Sequence, residues 1–209
     1  KELAKVVCNE KIDPETLKSM IWASTKAMVT NDGSRTNKEA FWASFEEVIG
    51  EECERIKPLC DGFYTTDFHK VKAIAKENPL AKKAVQLAGA KGRKVVLSTN
   101  PLFPMDGQKT RISWIGLTED DFEFITSYES DSFCKPNPQY FVSICERLGV
   151  KPEECLMVGN DEREDMYAAS SIGMNCFLVT DCMISCKEHP WNGERGTFED
   201  LINKLENLE

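Results

Sequence analysis

An acidic loop follows a short apolar run in residues 156–166, and it carries the side chains best suited to chemistry. The run predicts a strand, and Gly159 after it lets the backbone turn and approach a ligand closely. Asp161 and Asp165 are four residues apart, so they share one face if this segment is helical. Two carboxylates in one crevice repel each other unless a cation lies between them. The pattern therefore predicts a site for a hard divalent ion, most plausibly Mg2+.

A second interpretation of the same loop needs no ligand. Asn160 or Asp161 can act as the N-cap of a helix that runs through Ala169, because acids and amides are favoured at helix starts. On the loop alone, the metal site and the helix cap are about equally good explanations.

Polar side chains also follow two other predicted strands. Ser98, Thr99 and Asn100 end one strand, and Lys135 lies in the loop after the next. In a parallel sheet, ligands bind beyond the carboxyl ends of the strands, so these groups and the acidic loop are expected to converge. A hydroxyl, an amide, an ammonium and carboxylates at one edge predict a phosphate site with a metal. Taken singly, Thr99 could merely end a strand and Lys135 could be an exposed turn residue.

The elements that must position these residues fall into two regions. Residues 1–78 predict helices only, with Asp13 and Pro14 as a helix start and Gly50 as a helix stop. From Pro79 helices and strands alternate, which predicts an α/β fold with a parallel sheet between helical layers. We expect a helical domain over 1–78 and an α/β domain over 79–209. The predicted helices span 14–30, 37–50, 51–57, 63–76, 80–88, 108–117, 138–148, 164–172 and 197–208, and the predicted strands span 94–99, 122–126, 155–158 and 175–179.

Composition limits the possible partners. The net charge of −9 argues against binding to nucleic acid or to an anionic membrane surface, because both need a basic surface. No apolar run approaches the roughly 20 residues that a membrane-spanning helix needs. Nine cysteines, an odd and scattered set, favour reduced thiols and a cytoplasmic protein.

Three segments resemble motifs II, III and IV of the haloacid dehalogenase superfamily of hydrolases. They are VVLSTN at 95–100, CKPNP at 134–138 and VGNDERED at 158–165. The resemblance covers residues 79 to about 182, and the helical segment before them is similar to the C1-type cap of that superfamily. It implies a Rossmann-like three-layer core with a parallel sheet, plus an all-helical cap.

The resemblance also implies roles for individual residues. Thr99 would bind the transferring phosphoryl group, with Asn100 beside it, and Lys135 would stabilise the aspartyl nucleophile and its phosphoryl adduct. The candidate Mg2+ ligands are the acids of motif IV, Asp161 and Asp165, together with Asn160 at a position where Asp is more familiar. The implied activity is Mg2+-dependent hydrolysis of a small phosphorylated metabolite through a phosphoaspartate, by a monomer or homodimer.

Motif I, an apolar strand ending in Asp-x-Asp-Gly, is absent from these 209 residues. Because the family's nucleophile and its acid–base aspartate belong to that motif, we expect both upstream of Lys1. Two alternatives remain: a metal-independent haloacid dehalogenase, against which the paired acids count, and a non-catalytic relative that binds a ligand or partner.

Overall fold

The structure is a computed structural model that describes residues 1–75 and 77–208. Its contacts divide the chain into two compact units. The first unit consists of Lys1–Asn78 and Val96–Cys134, and the second consists of Pro79–Val95 and Lys135–Glu209. The structure thus groups 96–134 with the helical segment, whereas the predicted division placed them in the α/β domain. The assignment of a cap domain and a core domain stays a prediction.

The helices of the first unit begin at strong local signals. Asp13 accepts hydrogen bonds from the backbone N–H groups of Glu15 and Thr16, and Pro14 is the first helical residue, as predicted. Thr36 caps the next helix in a capping box with Glu39. The helices of this unit are α1 Glu2–Val7, α2 Pro14–Val29, α3 Asn37–Ile49, α4 Glu52–Thr65 and α6 Met105–Ser113.

Two predicted helices of this unit have other bounds. The predicted helices 51–57 and 63–76 are wrong, because α4 runs without a break through Pro58 and a separate 3-10 helix, Phe68–Ile74, follows it. Proline removes one helical hydrogen bond, and burial of Ile56 and Phe63 on either side offsets that loss. The predicted end at Lys76 lies outside the described residues.

The apolar stripes of these helices meet in one core. Leu17 and Met20 of α2, Trp42 and Phe45 of α3 and Ile56 of α4 are all buried in it. The first unit also contains two short parallel strands, β1 Val96–Leu97 and β2 Phe124–Ile125, which pair with each other. Both are shorter than predicted.

The second unit is built on a three-stranded parallel sheet. Its strands are β3 Leu156–Gly159, β4 Asn175–Val179 and β5 Arg195–Gly196, in that order. Its helices are α5 Pro79–Ala90, α7 Pro138–Leu148, α8 Ala168–Ser170 and α9 Phe198–Asn207. Phe177 and Val179 of β4 pack with Leu201 and Leu205 of α9 in its core. Parallel strands that alternate with helices confirm the α/β class.

Across residues 1–75 and 77–208, no helix is both long enough and apolar enough to cross a membrane. No disulfide joins any of the nine cysteines.

Candidate active site

The end of β3 is shaped by Gly159. A Cβ atom added there would collide with the Cβ, Cγ and Oδ2 atoms of Asp165. The group that approaches Gly159 closely is therefore the side chain of Asp165. Gly159 is needed because it lacks a Cβ atom, which lets this carboxylate fold back against the strand end.

Asp165 is buried, with 6% of its surface exposed, and both of its carboxylate oxygens are engaged. Oδ2 accepts hydrogen bonds from the backbone N–H groups of Asn160 and Asp161, both at 3.0 Å. Oδ1 accepts one from Nζ of Lys135 at 2.7 Å. A buried carboxylate needs such compensation, because an unpaired charge in the interior is costly. The positive charge that faces Asp165 in the structure is an ammonium of the chain itself.

Lys135 is buried as well, with 5% of its surface exposed. Its ammonium lies 5.5 Å from the ring centroids of both Tyr140 and Phe141, at the start of α7. Aromatic faces attract cations at this distance. The peptide bond between Lys135 and Pro136 is cis. The interpretation of Lys135 as an exposed turn residue is therefore wrong, and its ammonium is fixed by an acid and two rings.

Asp161 is the N-cap of the segment that follows β3. Its Oδ1 atom accepts hydrogen bonds from the backbone N–H groups of Arg163 at 2.9 Å and Glu164 at 2.8 Å. The capping interpretation of the acidic loop is thus confirmed for Asp161. The helix predicted over 164–172 is wrong, because Glu162–Tyr167 is a π-helix and only Ala168–Ser170 is α-helical. The wider turn places Asp165 back against the loop.

Asn160 and Glu162 fasten this loop to the segment 182–191. Nδ2 of Asn160 donates to the carbonyl oxygen of Cys182 at 2.7 Å. The buried Glu162 accepts hydrogen bonds from the backbone N–H groups of Cys186, at 2.7 Å, and Trp191, at 3.0 Å. These two donors hold the pKa of Glu162 below its ordinary value. The sequence analysis missed Glu162, because an acid after a strand is typical of an exposed loop.

Thr99 and Asn100 belong to the first unit, just after β1. The carbonyl oxygen of Thr99 accepts a hydrogen bond from the hydroxyl of Thr126 at 2.7 Å, and that of Asn100 accepts one from the N–H of Leu102 at 2.8 Å. The second bond closes a tight turn after β1, and the first ties the end of β1 to the residue that follows β2. Their predicted convergence with Lys135 and the acidic loop stays a prediction.

The donor set of the acidic loop fits Mg2+ only in part. Within the described ranges, no group of three or more His, Cys, Asp or Glu side chains is arranged to hold a metal ion. Asp165 accepts three hydrogen bonds, from Lys135 and from two backbone N–H groups, and a carboxylate has about four lone-pair sites. One oxygen of Asp161 caps the helix. The predicted roles of Asn160, Asp161 and Asp165 as Mg2+ ligands stay a prediction.

Comparisons with known proteins agree with the motifs. The family model described as haloacid dehalogenase-like hydrolase matches residues 9–173. The chain is similar to a glyceraldehyde 3-phosphate phosphatase of Methanothermobacter thermautotrophicus, with 28% identity over 186 residues, 88% of this chain and 79% of that protein. A phospholysine phosphohistidine inorganic pyrophosphate phosphatase of Xenopus laevis is 35% identical over 96 residues, which are 45% of this chain and 36% of that protein. The chain thus spans about a third of this second relative.

Solved structures share the fold at low identity. A predicted phosphoglycolate phosphatase from Haemophilus somnus superposes with a TM-score of 0.60 and 18% identity, over 97% of this chain and 90% of that one. A 2-haloacid dehalogenase from Pseudomonas syringae superposes with a TM-score of 0.64 and 15% identity, over 98% of this chain and 87% of that one. At such identities the likeness shows the α/β fold alone. Because the family model covers most of the chain and the three motifs lie on the expected strand ends and loops, the chain belongs to the haloacid dehalogenase-like hydrolases.

Proposed function

We propose that the protein is a phosphatase that hydrolyses small phosphomonoesters with Mg2+ through a phosphoaspartate. The observation that carries this proposal is the buried ammonium of Lys135, fixed by Asp165 at 2.7 Å. A fixed positive charge in a water-poor site stabilises charge that develops on a transferring phosphoryl group. Because Asp165 holds Lys135, the ammonium is in place before the anion arrives.

Each residue of the motifs has a role in this proposal. The hydroxyl of Thr99 and the amide of Asn100 bind phosphoryl oxygens, and Lys135 neutralises their charge. Asn160, Asp161 and Asp165 are the residues that would hold Mg2+, and Asp165 also positions Lys135. The ion, when bound, supplies further charge neutralisation at the phosphoryl oxygens. The resemblance assigns the nucleophile to motif I, which these 209 residues do not contain.

The names of the relatives support phosphoryl transfer over halide displacement. The glyceraldehyde 3-phosphate phosphatase is 28% identical over most of this chain, whereas the 2-haloacid dehalogenase is 15% identical and informs only the fold. The paired acids Asp161 and Asp165 also count against halide displacement, which has no use for a cation site. A position in the cytoplasm, which reduced thiols favour, is part of the same proposal.

The test is turnover by the full-length protein. We expect it to release phosphate from p-nitrophenyl phosphate in the presence of Mg2+ and to lose this activity in excess chelator. Asp161→Ala should lower the activity strongly, whereas Asp120→Ala, an exposed acid of the first unit, is the matched control and should not. Full activity in chelator contradicts the metal requirement. Chloride release from 2-chloropropionate without phosphatase activity contradicts the reaction class.

A further inference from the structure

A cavity of about 270 Å3 lies within the first unit and has no part in the function described so far. Helices α1–α4 and the loops after β1 and β2 enclose it. Its walls are mainly aromatic and aliphatic, and include Ile21, Trp22, Phe41, Trp42, Tyr64 and Phe103. Burial raises the pKa of Cys60, another wall residue, to about 12, as expected beside a water-poor space.

The size of the cavity limits what it can hold. Since a water molecule takes about 30 Å3 of liquid volume, the space corresponds to roughly nine waters. It is close to the lower end of small-molecule sites, so it fits one or two fused rings but not a large cofactor. Aromatic walls favour a flat apolar occupant, because rings pack edge to face or offset against each other.

One polar group of the cavity wall, the indole N–H of Trp42, needs a hydrogen-bond acceptor. The indole N–H of Trp42 is buried and, among the residues that the structure describes, has no hydrogen-bond partner of good geometry. Burial raises the pKa of Tyr128, and the nearby indole N–H of Trp42 opposes that rise. A buried N–H without a good acceptor is costly, so a ligand oxygen in the cavity would be favoured.

The cavity is joined to the turn that carries the predicted phosphoryl-binding residues. Leu102, Phe103 and Pro104 line it and begin two residues after Asn100. The N–H of Leu102 donates to the carbonyl oxygen of Asn100 at 2.8 Å, which ties the cavity wall to that turn. The predicted phosphoryl-binding turn is thus continuous along the chain with one wall of the apolar cavity.

We infer that this cavity binds the apolar, aromatic body of the phosphomonoester, and that the preferred substrate is an aryl or aryl-like monophosphate. The inference rests on the proposed phosphatase function and names its substrate class. Asp61 lines the exposed edge of the cavity, and its carboxylate repels a second anionic group. Phosphorylated sugar acids should therefore be poor substrates.

The experiment uses the full-length protein with 1-naphthyl phosphate, methyl phosphate and 3-phosphoglycerate as substrates, and 1-naphthol as a ligand without phosphate. We expect kcat/KM for 1-naphthyl phosphate to exceed that for methyl phosphate by about tenfold or more, as apolar pocket contacts give. Thr25→Phe, which fills the cavity from α2, should remove most of that preference. Ala23→Phe, on the exposed side of the same helix, is the matched control and should keep it.

Calorimetry with 1-naphthol gives a readout independent of turnover. Saturable binding by the wild type that Thr25→Phe abolishes supports the inference. If that variant does not fold, Cys60→Phe, which enters the cavity from α4, replaces it. The inference is overturned if 1-naphthol does not bind, or if the naphthyl and methyl esters have equal kcat/KM. In either case, turnover of the esters leaves the phosphatase proposal intact. Binding of 1-naphthol without turnover of any ester overturns the phosphatase proposal and the substrate assignment with it.

Discussion

The ion pair between Lys135 and Asp165 should be the most sensitive point of the second unit. Lys135→Met keeps the length of the side chain and its apolar stem but removes the ammonium. The carboxylate of Asp165, only 6% exposed, then loses the cation 2.7 Å from its Oδ1 atom. It keeps the backbone N–H groups of Asn160 and Asp161 on Oδ2.

The size of the loss follows from that geometry. Removing one partner of a buried pair typically costs roughly 3–5 kcal/mol, because the other charge stays behind uncompensated. Two backbone donors still compensate Asp165, so we expect the lower end, about 3 kcal/mol. For a chain of this size, 1 kcal/mol corresponds to roughly 2–4 °C in Tm, which gives a loss of about 6–12 °C.

Urea and thermal unfolding, followed by circular dichroism, measure the effect. Lys204→Met is the matched control, because Lys204 pairs with Glu194 at 2.8 Å but the side chains are 24% and 51% exposed. An exposed pair contributes at most about 1 kcal/mol. The double variant Lys135→Met with Asp165→Asn should lose less than the sum of the single losses, since neither charge is left alone. Two results together would refute the reasoning. Lys135→Met and Lys204→Met would lose equally little unfolding free energy, and the losses of Lys135→Met and Asp165→Asn would add up in the double variant.

Three further changes test the acidic loop. Gly159→Ala should cost about 1–3 kcal/mol in urea unfolding, because the new methyl group overlaps the carboxylate of Asp165. Asp161→Ala should cost about 1 kcal/mol through the lost cap, whereas Asp161→Ser should keep the stability yet reduce Mg2+-dependent turnover; equal stability of both would contradict the capping role. Glu162 has a lowered pKa in the folded chain, so it adds stability above its ordinary value of 4.5 that disappears as the pH falls through the folded pKa. Unfolding measured from pH 7 to pH 3 should therefore depend less on pH in Glu162→Gln than in the wild type, and parallel curves would show that its hydrogen bonds to the 182–191 segment add nothing.

Local signals in the sequence predicted much of the fold. Helix α2 starts at Asp13 and Pro14, and helix α3 ends at Gly50. Each of these boundaries depends on the backbone hydrogen bonds of one helix end, so the nearby sequence determines it. Helix α7 is bounded in the same way, by Asn137 and Pro138 at its start and Gly149 in the left-handed conformation at its end.

The burial of the site residues could not be predicted in that way. Lys135 is inside because Asp165, thirty residues later, and the rings at the start of α7 receive its ammonium. Glu162 is inside because the backbone of residues 186 and 191 returns to it. A charged side chain is assigned to the surface by default, and only long-range contacts overrule that default. Asp161 binds local backbone N–H groups, whereas Asp165 binds the distant Lys135. This difference also depends on a long-range contact.

The different partners of Asp161 and Asp165 change the chemistry that the loop can do. Asp161 caps the segment after β3. Asp165 holds the ammonium of Lys135 through one oxygen and the strand end through the other, which Gly159 makes possible by leaving room for the carboxylate. An ammonium has three N–H donors, and its bond to Asp165 takes one of them. The position of Lys135 is thus set by the fold before any substrate binds, as electrostatic stabilisation of a phosphoryl group requires.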